Sequence, residues 1–282
     1  MHPRRRPLDV PGSGAAACAP LRWPLEALRA GLEPLRPGVS VELLHETDST
    51  NTRLLERARA GDASPCLLVA ERQTAGRGRR GRPWFDTTAG DAEPGTLCFS
   101  LGLPFEPRDW SGLSLAVGVA LAEALHPRVR LKWPNDLWLV DDDGCGRKLG
   151  GVLVETLSQG AGPRYAVVGV GLNLVAPAPH PGLEQPTAHW REIEPQARVP
   201  ELLERVAAPL LATLGVFERE GFAAFATRYA ARDALAGREV EASRPEAARG
   251  RADGVEPDGA LRVQTHAGLR RVRSGEVSVR PC

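Results

Sequence analysis

The chain has 282 residues and a formal net charge of +1, with 42% apolar and 25% charged residues. This balance is typical of a soluble, core-forming protein and excludes disorder throughout the chain. It gives no overall attraction to nucleic acid or anionic lipid, so a polyanionic ligand requires a local positive patch. The longest apolar stretch, 113–125, is interrupted by polar residues and falls short of the roughly 20 residues that span a bilayer.

The cysteines are scattered and form no C-x-x-C pair: Cys18, Cys66, Cys98, Cys145 and Cys282. They indicate neither a disulfide framework nor a zinc site, and a reducing cytoplasm is the expected location. The arginines at 4–6 precede no continuous apolar segment, so we interpret the first 20 residues as a loose tail. An arginine-rich leader of the mitochondrial kind is the alternative.

From residue 21, leucines at helical spacing predict one or two short helices over 21–36, broken by prolines. A second helix is predicted to begin at the N-capping residues 48–51 and to end at Gly61. A long apolar helix is predicted at 111–126. Short apolar or β-branched runs bounded by Gly, Pro and Asp predict strands at 66–70, 96–103, 129–132, 136–140, 149–157 and 165–174.

The connection at 141–147 is too short for a crossover helix, so the sheet is expected to be mixed but mostly antiparallel. The fold class is therefore α+β with flanking helices, and a doubly wound fold is disfavoured. The helical period returns at 199–235, and a small β-barrel is predicted after Gly237. We expect a tail and short helix at 1–38, a main domain at 39–234 and a C-terminal domain at 235–282.

The strongest local signal is an arginine and glycine run at 76–82, preceded by Gln73 and followed by Trp84. Glycines let the backbone approach a ligand closely, and guanidinium groups offer forked donors to carboxylate or phosphate. A solvated loop or an RNA-binding tract is the alternative interpretation. Since the run follows a predicted strand inside a folded domain, we favour a substrate-covering loop.

Three further motifs contain groups suited to a ligand. Lys132-Trp133-Pro134-Asn135-Asp136 joins two predicted strands and can hold a triphosphate with its Mg²⁺, although Pro-Asn-Asp is also good turn chemistry. Arg147-Lys148-Leu149-Gly150-Gly151 places a lysine beside glycines that leave space for a ligand; a hairpin end is the alternative. Val168-Gly169-Val170-Gly171-Leu172-Asn173 is a strand whose glycines indicate that something else packs there.

Together with Asp48-Ser49-Thr50-Asn51, these motifs resemble, in their order along the chain, the catalytic domain of the biotin protein ligases. The resemblance covers about residues 40–282, and it implies a class II synthetase-like domain followed by an SH3-like β-barrel. It also implies a monofunctional form, because the chain before residue 40 is too short for a helix-turn-helix module. Specific nucleic-acid binding and membrane association are not expected, and the form can be a monomer or a homodimer.

The implied reaction converts biotin and MgATP to biotinyl-5'-AMP and pyrophosphate, and then biotinylates a lysine of a biotin carboxyl carrier protein of acetyl-CoA carboxylase or a related carboxylase. Mg²⁺ would bind through the ATP phosphates without a dedicated protein cage. Carrier recognition is expected to use the sheet edge and the C-terminal barrel. Positive charge is needed between a carboxylate and a phosphate that repel each other.

The resemblance also assigns residues. The implied catalytic residues are Lys148, Arg77 and Arg79. The implied biotin contacts are Ser49, Thr50, Gln73, Gly76, Arg77, Arg79, Trp84, Lys148, Gly151, Gly169 and Gly171. The implied ATP and Mg²⁺ contacts are Arg79, Arg82, Lys132, Asn135, Asp136, Lys148 and Asn173.

Some segments depart from the family pattern. The acidic stretches 91–94 and 141–143 are expected to be solvated loops without a role. The stretch 175–190 does not match an adenine-covering loop, so Trp190 is either an adenine-stacking residue or a packed surface aromatic. His180 and His189 are not expected to bind metal.

Two other functions remain open from the sequence. A lipoate or octanoate ligase would use the same adenylation chemistry on another acid. An RNA-binding protein would use the arginine and glycine run, but the run contains no aromatic residue and aromatic residues make up only 5% of the chain.

Overall fold

The computed structural model describes residues 21–89, 93–142, 144–158, 160, 162–180, 185–243, 249–273 and 279–281. The helices are α1 (Leu25–Leu32), α2 (Thr50–Arg59), α3 (Leu113–Leu125), α4 (Val199–Glu220) and α5 (Ala226–Ala230). The strands are β1 (Ser40–Thr47), β2 (Cys66–Gln73), β3 (Thr88–Ala89), β4 (Glu93–Pro94), β5 (Thr96–Phe105), β6 (Val129–Lys132), β7 (Asp136–Val140), β8 (Gly146–Leu157), β9 (Arg164–Asn173), β10 (Glu239–Ala242), β11 (Arg249–Val255), β12 (Leu261–Thr265), β13 (Gly268–Val272) and β14 (Val279–Pro281).

The main sheet has seven strands in the order β1-β2-β5-β9-β8-β7-β6. Only the β1–β2 pair is parallel in this sheet, and the hairpin from β7 to β8 is antiparallel. A second antiparallel sheet has the order β13-β12-β11-β10-β14. The predicted fold class is therefore confirmed, and so are the six strands predicted for the main sheet.

Helices cover both faces of the main sheet. Side chains alternate between the two faces along each strand, and both faces carry apolar side chains that must be covered. On β2, Leu67 and Val69 join the large core under α1, α3 and α4. Cys66 and Leu68 point to the other face, where they pack with Leu54 of α2 in a smaller cluster. The helix α3 is apolar on nearly all sides because it is almost completely buried.

The sequence did not predict β1. This strand is paired with β2 on one side only, and most of its residues are half-buried instead of alternating cleanly between core and solvent. It also carries three ionisable side chains, at 42, 45 and 46, which weaken the period-2 signal of an edge strand.

Several predictions lie outside the described residues, namely the loose tail at 1–20, the residues 91, 92 and 143 of the acidic stretches, and Val277 of the barrel. Cys66 and Cys98 are buried free thiols. No helix in the described part of the chain is long and apolar enough to cross a membrane.

Candidate active site

A cavity of about 530 Å³ lies between the start of α2, the loop 74–85 and strands β7 to β9. Its size is in the range of small-molecule and cofactor sites. Every residue implied as a site residue lines this cavity except Gly76. A Cβ added to Gly76 would lie 2.6 Å from the carbonyl oxygen of Trp84, so this glycine allows the two sides of the loop to approach.

One end of the cavity, which we call the amide end, is formed by Ser49, Thr50, Asn51 and Gln73. Gln73 Oε1 accepts hydrogen bonds from the Thr50 main-chain nitrogen at 2.8 Å and from its hydroxyl at 3.2 Å. Ser100 Oγ lies 2.6 Å from Thr50 Oγ1 and 2.5 Å from Asn51 Oδ1. The amide end, buried except for the half-buried Gln73, is therefore a preformed set of donors and acceptors with fixed orientation.

Sheet register explains how the glycines form the wall of the cavity. Gly171 lies between Cys98 of β5 and Gly151 of β8, and Gly169 is its neighbour on the same face. A Cβ added to Gly169 would lie 2.2 Å from Asn51 Oδ1, and one added to Gly171 would lie 2.5 Å from the Trp84 ring. Larger residues at either position would displace groups that line the cavity.

The other end, which we call the basic end, contains Lys132, Arg79 and Arg82. Asp136 lies between two ammonium groups, with Lys148 Nζ at 2.8 Å and Lys132 Nζ at 3.7 Å. Burial alone would raise the pKa of Asp136, but the two lysines outweigh it and hold the pKa below its ordinary value. This carboxylate is thus ionised and neutralises part of a cationic cluster.

Lys148 occupies the region between the two ends. A Cβ added to Gly151 would lie 3.5 Å from Lys148 Nζ, and this ammonium group is 5.7 Å from the centre of the Trp84 ring. Since Trp84 packs against Gly171, Lys148 stands beside the middle of the glycine wall. An anionic group bound along the wall would therefore lie close to the ammonium group of Lys148 and be attracted to it.

The arginine and glycine run, which belongs to the loop 74–85, bridges the cavity at two points. Arg79 Nη1 donates to Asn135 Oδ1 at 3.1 Å, on the turn that joins β6 and β7. Burial, with Arg80 and Arg82 nearby, lowers the Arg79 pKa, whereas Asp136 opposes this effect. Arg77 lines the cavity, but its guanidinium pairs with Glu155 at 2.7 Å. Arg77 therefore anchors the loop to β8.

Asn173, at the end of β9, also lines the cavity. Its amide nitrogen donates to the carbonyl of Ala188 at 3.0 Å. The segment 185–188 runs beside Lys148 and contributes three residues to the basic end, Gln185, Pro186 and Thr187. The sequence did not predict a role for this segment. Nor did it predict that Trp138, which packs on Gly146, and Arg238, next to the start of the second sheet, line the cavity.

Three expectations for individual residues were wrong. Trp190 is fully buried in the core and does not line the cavity, so it is neither an adenine-stacking residue nor a surface aromatic. Glu93 accepts hydrogen bonds from Arg191 and Arg198 instead of lying in a solvated loop. Asp141 is paired with Arg147 through two hydrogen bonds of 2.9 Å. Structural arginines attract acidic residues that a charge pattern alone assigns to solvent.

Among the described residues, no group of three His, Cys, Asp or Glu side chains is arranged to hold a metal ion. The acidic group nearest the basic end is Asp136, which is already paired with two lysines. The donor set of the basic end, ammonium and guanidinium groups with amides, suits phosphate oxygens.

Comparison with known proteins gives a consistent assignment. The profile of the biotin/lipoate A/B protein ligase family matches residues 43–173, and that of the biotin protein ligase C terminal domain matches residues 236–280. The chain is 33% identical over 285 residues to the bifunctional ligase/repressor BirA of Escherichia coli, covering 96% of this chain and 83% of BirA.

It is 31% identical to the biotin--[acetyl-CoA-carboxylase] ligase of Paracoccus denitrificans, covering 83% of this chain and 98% of that protein. The biotin protein ligase of Aquifex aeolicus in complex with biotin and ATP superposes with a TM-score of 0.72 at 30% identity, covering 86% of this chain and 99% of that chain. This chain belongs to the biotin protein ligase family.

Proposed function

We propose that this protein activates biotin with MgATP to biotinyl-5'-AMP and then transfers biotin to a specific lysine of a biotin carboxyl carrier protein, such as that of acetyl-CoA carboxylase. The observation that carries the proposal is the single cavity in which Lys148 stands between the amide end and the basic end. One end suits a ureido ring and the other suits a triphosphate.

In the first step, a biotin carboxylate oxygen forms a bond to the α-phosphorus, and the bond to pyrophosphate breaks. Two anions must come together, so the ammonium group of Lys148 would contact both and reduce their repulsion. Ser49, Thr50 and Gln73 would orient the ureido ring by hydrogen bonds. Gly151, Gly169 and Gly171 would form the flat wall beside it, with Trp84 packed on the wall.

The basic end would hold the phosphates. Lys132 and Arg82 would contact phosphate oxygens and stabilise the charge that develops on pyrophosphate. Asn135 and Asp136 would act mainly by holding Arg79 and the two lysines in place, as their contacts indicate. Mg²⁺ would enter with the ATP phosphates and further reduce their negative charge.

In the second step, the amine nitrogen of the carrier lysine would attack the acyl carbon, and AMP would leave with the electrons of the mixed anhydride bond. The attacking amine must lose a proton before or during this step. Arg79, which links the loop to Asn135, would keep the adenylate covered until the carrier arrives.

We also propose that the catalytic part extends over 39–234 and the C-terminal domain over 235–282, and that the reaction takes place in the cytoplasm. The change from the seven-stranded to the five-stranded sheet supports this division. The free thiols of Cys66 and Cys98 fit a reducing compartment.

The test is ATP–pyrophosphate exchange on the purified protein with biotin, lipoate, octanoate or no acid. This assay isolates the first step and requires no carrier protein. We expect exchange with biotin alone. Exchange driven by lipoate or octanoate would move the protein to a sister activity, and no exchange with any acid would reject the adenylation proposal.

A further inference from the structure

Arg147 lies next to Lys148 in the chain, and all five of its N–H groups have acceptors. Its Nε and Nη2 donate to the two oxygens of Asp141, each at 2.9 Å. Its Nη1 and Nη2 donate to the two oxygens of Glu192, at 3.0 and 2.7 Å. The fifth acceptor is the carbonyl oxygen of Thr187 at 3.4 Å. We call these four residues the Arg147 clamp.

The clamp joins two parts of the chain that are distant in sequence. Asp141 belongs to the hairpin between β7 and β8, whereas Thr187 and Glu192 follow β9. All three charged side chains are about one quarter to one third exposed, so solvent screens them only in part. Hydrogen bonds from Arg147 hold the pKa of Asp141 below its ordinary value. The double fork therefore fixes both orientation and distance between the two parts.

The clamp holds the segment 185–188 at a gap in the main sheet. Backbone pairing of β8 with β9 begins at Gly150 opposite Leu172, so the β9 backbone does not pair with Lys148. The segment takes its place there: the Lys148 nitrogen donates to Pro186 at 2.8 Å, and the Ala188 nitrogen donates to Lys148 at 2.8 Å. On this side the main-chain hydrogen bonds of Lys148 go to a short segment without regular structure, which the clamp fixes immediately beyond; on the other side Lys148 pairs with Trp138 of β7.

The same segment forms a wall of the basic end. Gln185, Pro186 and Thr187 line the cavity, and Gln185 Oε1 accepts a hydrogen bond from Lys132 Nζ at 3.4 Å. None of the residues of the amide end bonds to this segment or to the clamp. Displacing the segment would therefore change the basic end and Lys148 while leaving the amide end in place.

We propose that Arg147 is a positioning residue for the nucleotide: through Asp141, Glu192 and Thr187 it holds 185–188 against Lys148 and so sets the geometry of the phosphate-binding end of the cavity. The proposal deepens the function proposed above and rests on it. A lysine cannot replace Arg147, because a single ammonium group cannot donate in two planar forks.

The test compares Arg147→Lys in the full chain with a matched control, Arg57→Lys. Arg57 also donates to two carboxylates, Glu42 and Asp62, but its hydrogen bonds do not involve the segment 185–188. We expect Arg147→Lys to raise the KM for ATP in biotin-dependent exchange by about tenfold, since small displacements at a reacting centre are costly. The Kd for biotin, measured by calorimetry, should change less than twofold, and Arg57→Lys should change neither constant.

A second readout does not depend on activity. Amide hydrogen exchange at Ala188 should become faster in Arg147→Lys, because the bond from its nitrogen to Lys148 is no longer held in register. Glu192→Gln should reproduce both effects more weakly, and it takes the place of Arg147→Lys in both measurements if that variant does not fold. An unchanged KM for ATP, or an equal loss of biotin affinity, in a folded variant would overturn the positioning role.

The wild-type protein separates this proposal from the proposed function. If it shows no biotin-dependent exchange, the proposed function is wrong and the nucleotide role of the clamp is wrong with it. If the wild-type protein exchanges normally and the variants keep its KM for ATP, the proposed function stands and only the clamp proposal is rejected.

Discussion

At the scale of single residues, the candidate site places charges of opposite sign in contact with each other in a buried place. Asp136 is 8% exposed, and Lys132 is 6% exposed. An isolated buried ion would be strongly unfavourable, but here two ammonium groups share one carboxylate and the surplus is positive. The surplus charge is what an anionic substrate would neutralise on binding.

Lys148 and Arg79 should fail in different ways when they are truncated. Lys148→Ala removes the ammonium group between the two ends, so adenylate formation should fall by at least about 100-fold, as for the loss of a key electrostatic group. Arg79→Ala removes the bond from the loop to Asn135, so the adenylate should form but escape. Chromatography of free biotinyl-5'-AMP, alongside pyrophosphate release, distinguishes the two outcomes. Equal loss of both steps in Arg79→Ala, with no released adenylate, contradicts the role of Arg79 in retaining it.

The sequence could predict the residues whose motifs combine glycine with charge, since such combinations serve packing poorly. It could not identify Trp138 or the segment 185–188, because they reach the cavity only through tertiary pairing. The sequence did contain one local signal for Trp138, the glycine at position 146. A Cβ at Gly146 would lie 2.0 Å from the Trp138 ring, and a glycine at the start of a strand indicates that a large side chain packs against it.

At the scale of elements, alternation along β9 determines both the core and the cavity. Val168 and Leu172 point to the large core, and Gly169 and Gly171 therefore face α2 and the cavity. The sequence could predict both the two glycines and the strand that contains them. It could not predict which residues of the neighbouring strands lie opposite these glycines, because register depends on pairings between strands that are far apart in the chain.

The chain segment after α5 continues the sheet at its β6 edge. Leu131 of β6 pairs with Asp233, through bonds from the Leu131 nitrogen to Arg232 and from the Ala234 nitrogen to Leu131. Asp233 Oδ1 accepts from the Leu235 nitrogen at 2.8 Å, whereas Oδ2 is buried without a partner among the described residues. The hydroxyl of Tyr229 is likewise buried without a hydrogen-bond partner among the described residues. This hydroxyl and the carboxylate of Asp233 interact electrostatically.

Asp233 should make stability depend on pH. Burial raises its pKa from 3.8 to about 6. A raised folded-state pKa contributes stability below the unfolded value of 3.8, and this contribution is lost as pH rises through 6. The difference corresponds to about 3 kcal/mol. Asp233→Asn stays neutral, so its free energy of unfolding at pH 8 should exceed that of the wild type by about 1–2 kcal/mol, part of the gain being offset by a buried amide.

Urea denaturation at pH 5 and pH 8 measures this effect. Asp62→Asn is the control of opposite sign, because a hydrogen bond from Arg57 lowers the pKa of Asp62 to about 2. The control should destabilise the protein at both pH values. A pH dependence between 5 and 8 that is the same in Asp233→Asn and in the wild type would show that Asp233 does not titrate in this range.

At the scale of the whole molecule, the second sheet is attached to the main sheet next to the candidate site. Trp133, within Lys132-Trp133-Pro134-Asn135-Asp136, donates from Nε1 to the carbonyl of Gly259 at 3.0 Å. Arg238 lines the cavity and donates to the carbonyl of Gly144 at 2.6 Å. The turn that contributes to the basic end is therefore also bonded to the C-terminal sheet, and this sheet lies beside the cavity.

Two glycines of the C-terminal sheet allow this attachment to be tested. Gly254 and Gly259 each follow an aspartate and have positive φ values of 74° and 76°, so alanine is strained at both to a similar extent, by about 1 kcal/mol. Only Gly259 touches the main domain: an added Cβ would lie 2.8 Å from the Cα of Gly112, whereas one at Gly254 meets nothing within 4 Å. Gly259→Ala should therefore shift the C-terminal sheet, and Gly254→Ala should not.

We expect Gly259→Ala to lower the free energy of unfolding by at least about 1 kcal/mol more than Gly254→Ala, as overpacking against backbone does. Carrier recognition is expected to use the sheet edge and the C-terminal barrel together, so the KM for a carrier domain should rise several-fold in Gly259→Ala alone. The Kd for biotin should not change in either variant, since the amide end lies on α2 and β2. If both variants biotinylate the carrier with the same KM as the wild type while Gly259→Ala is selectively destabilised, the C-terminal sheet stabilises the fold but takes no part in carrier recognition.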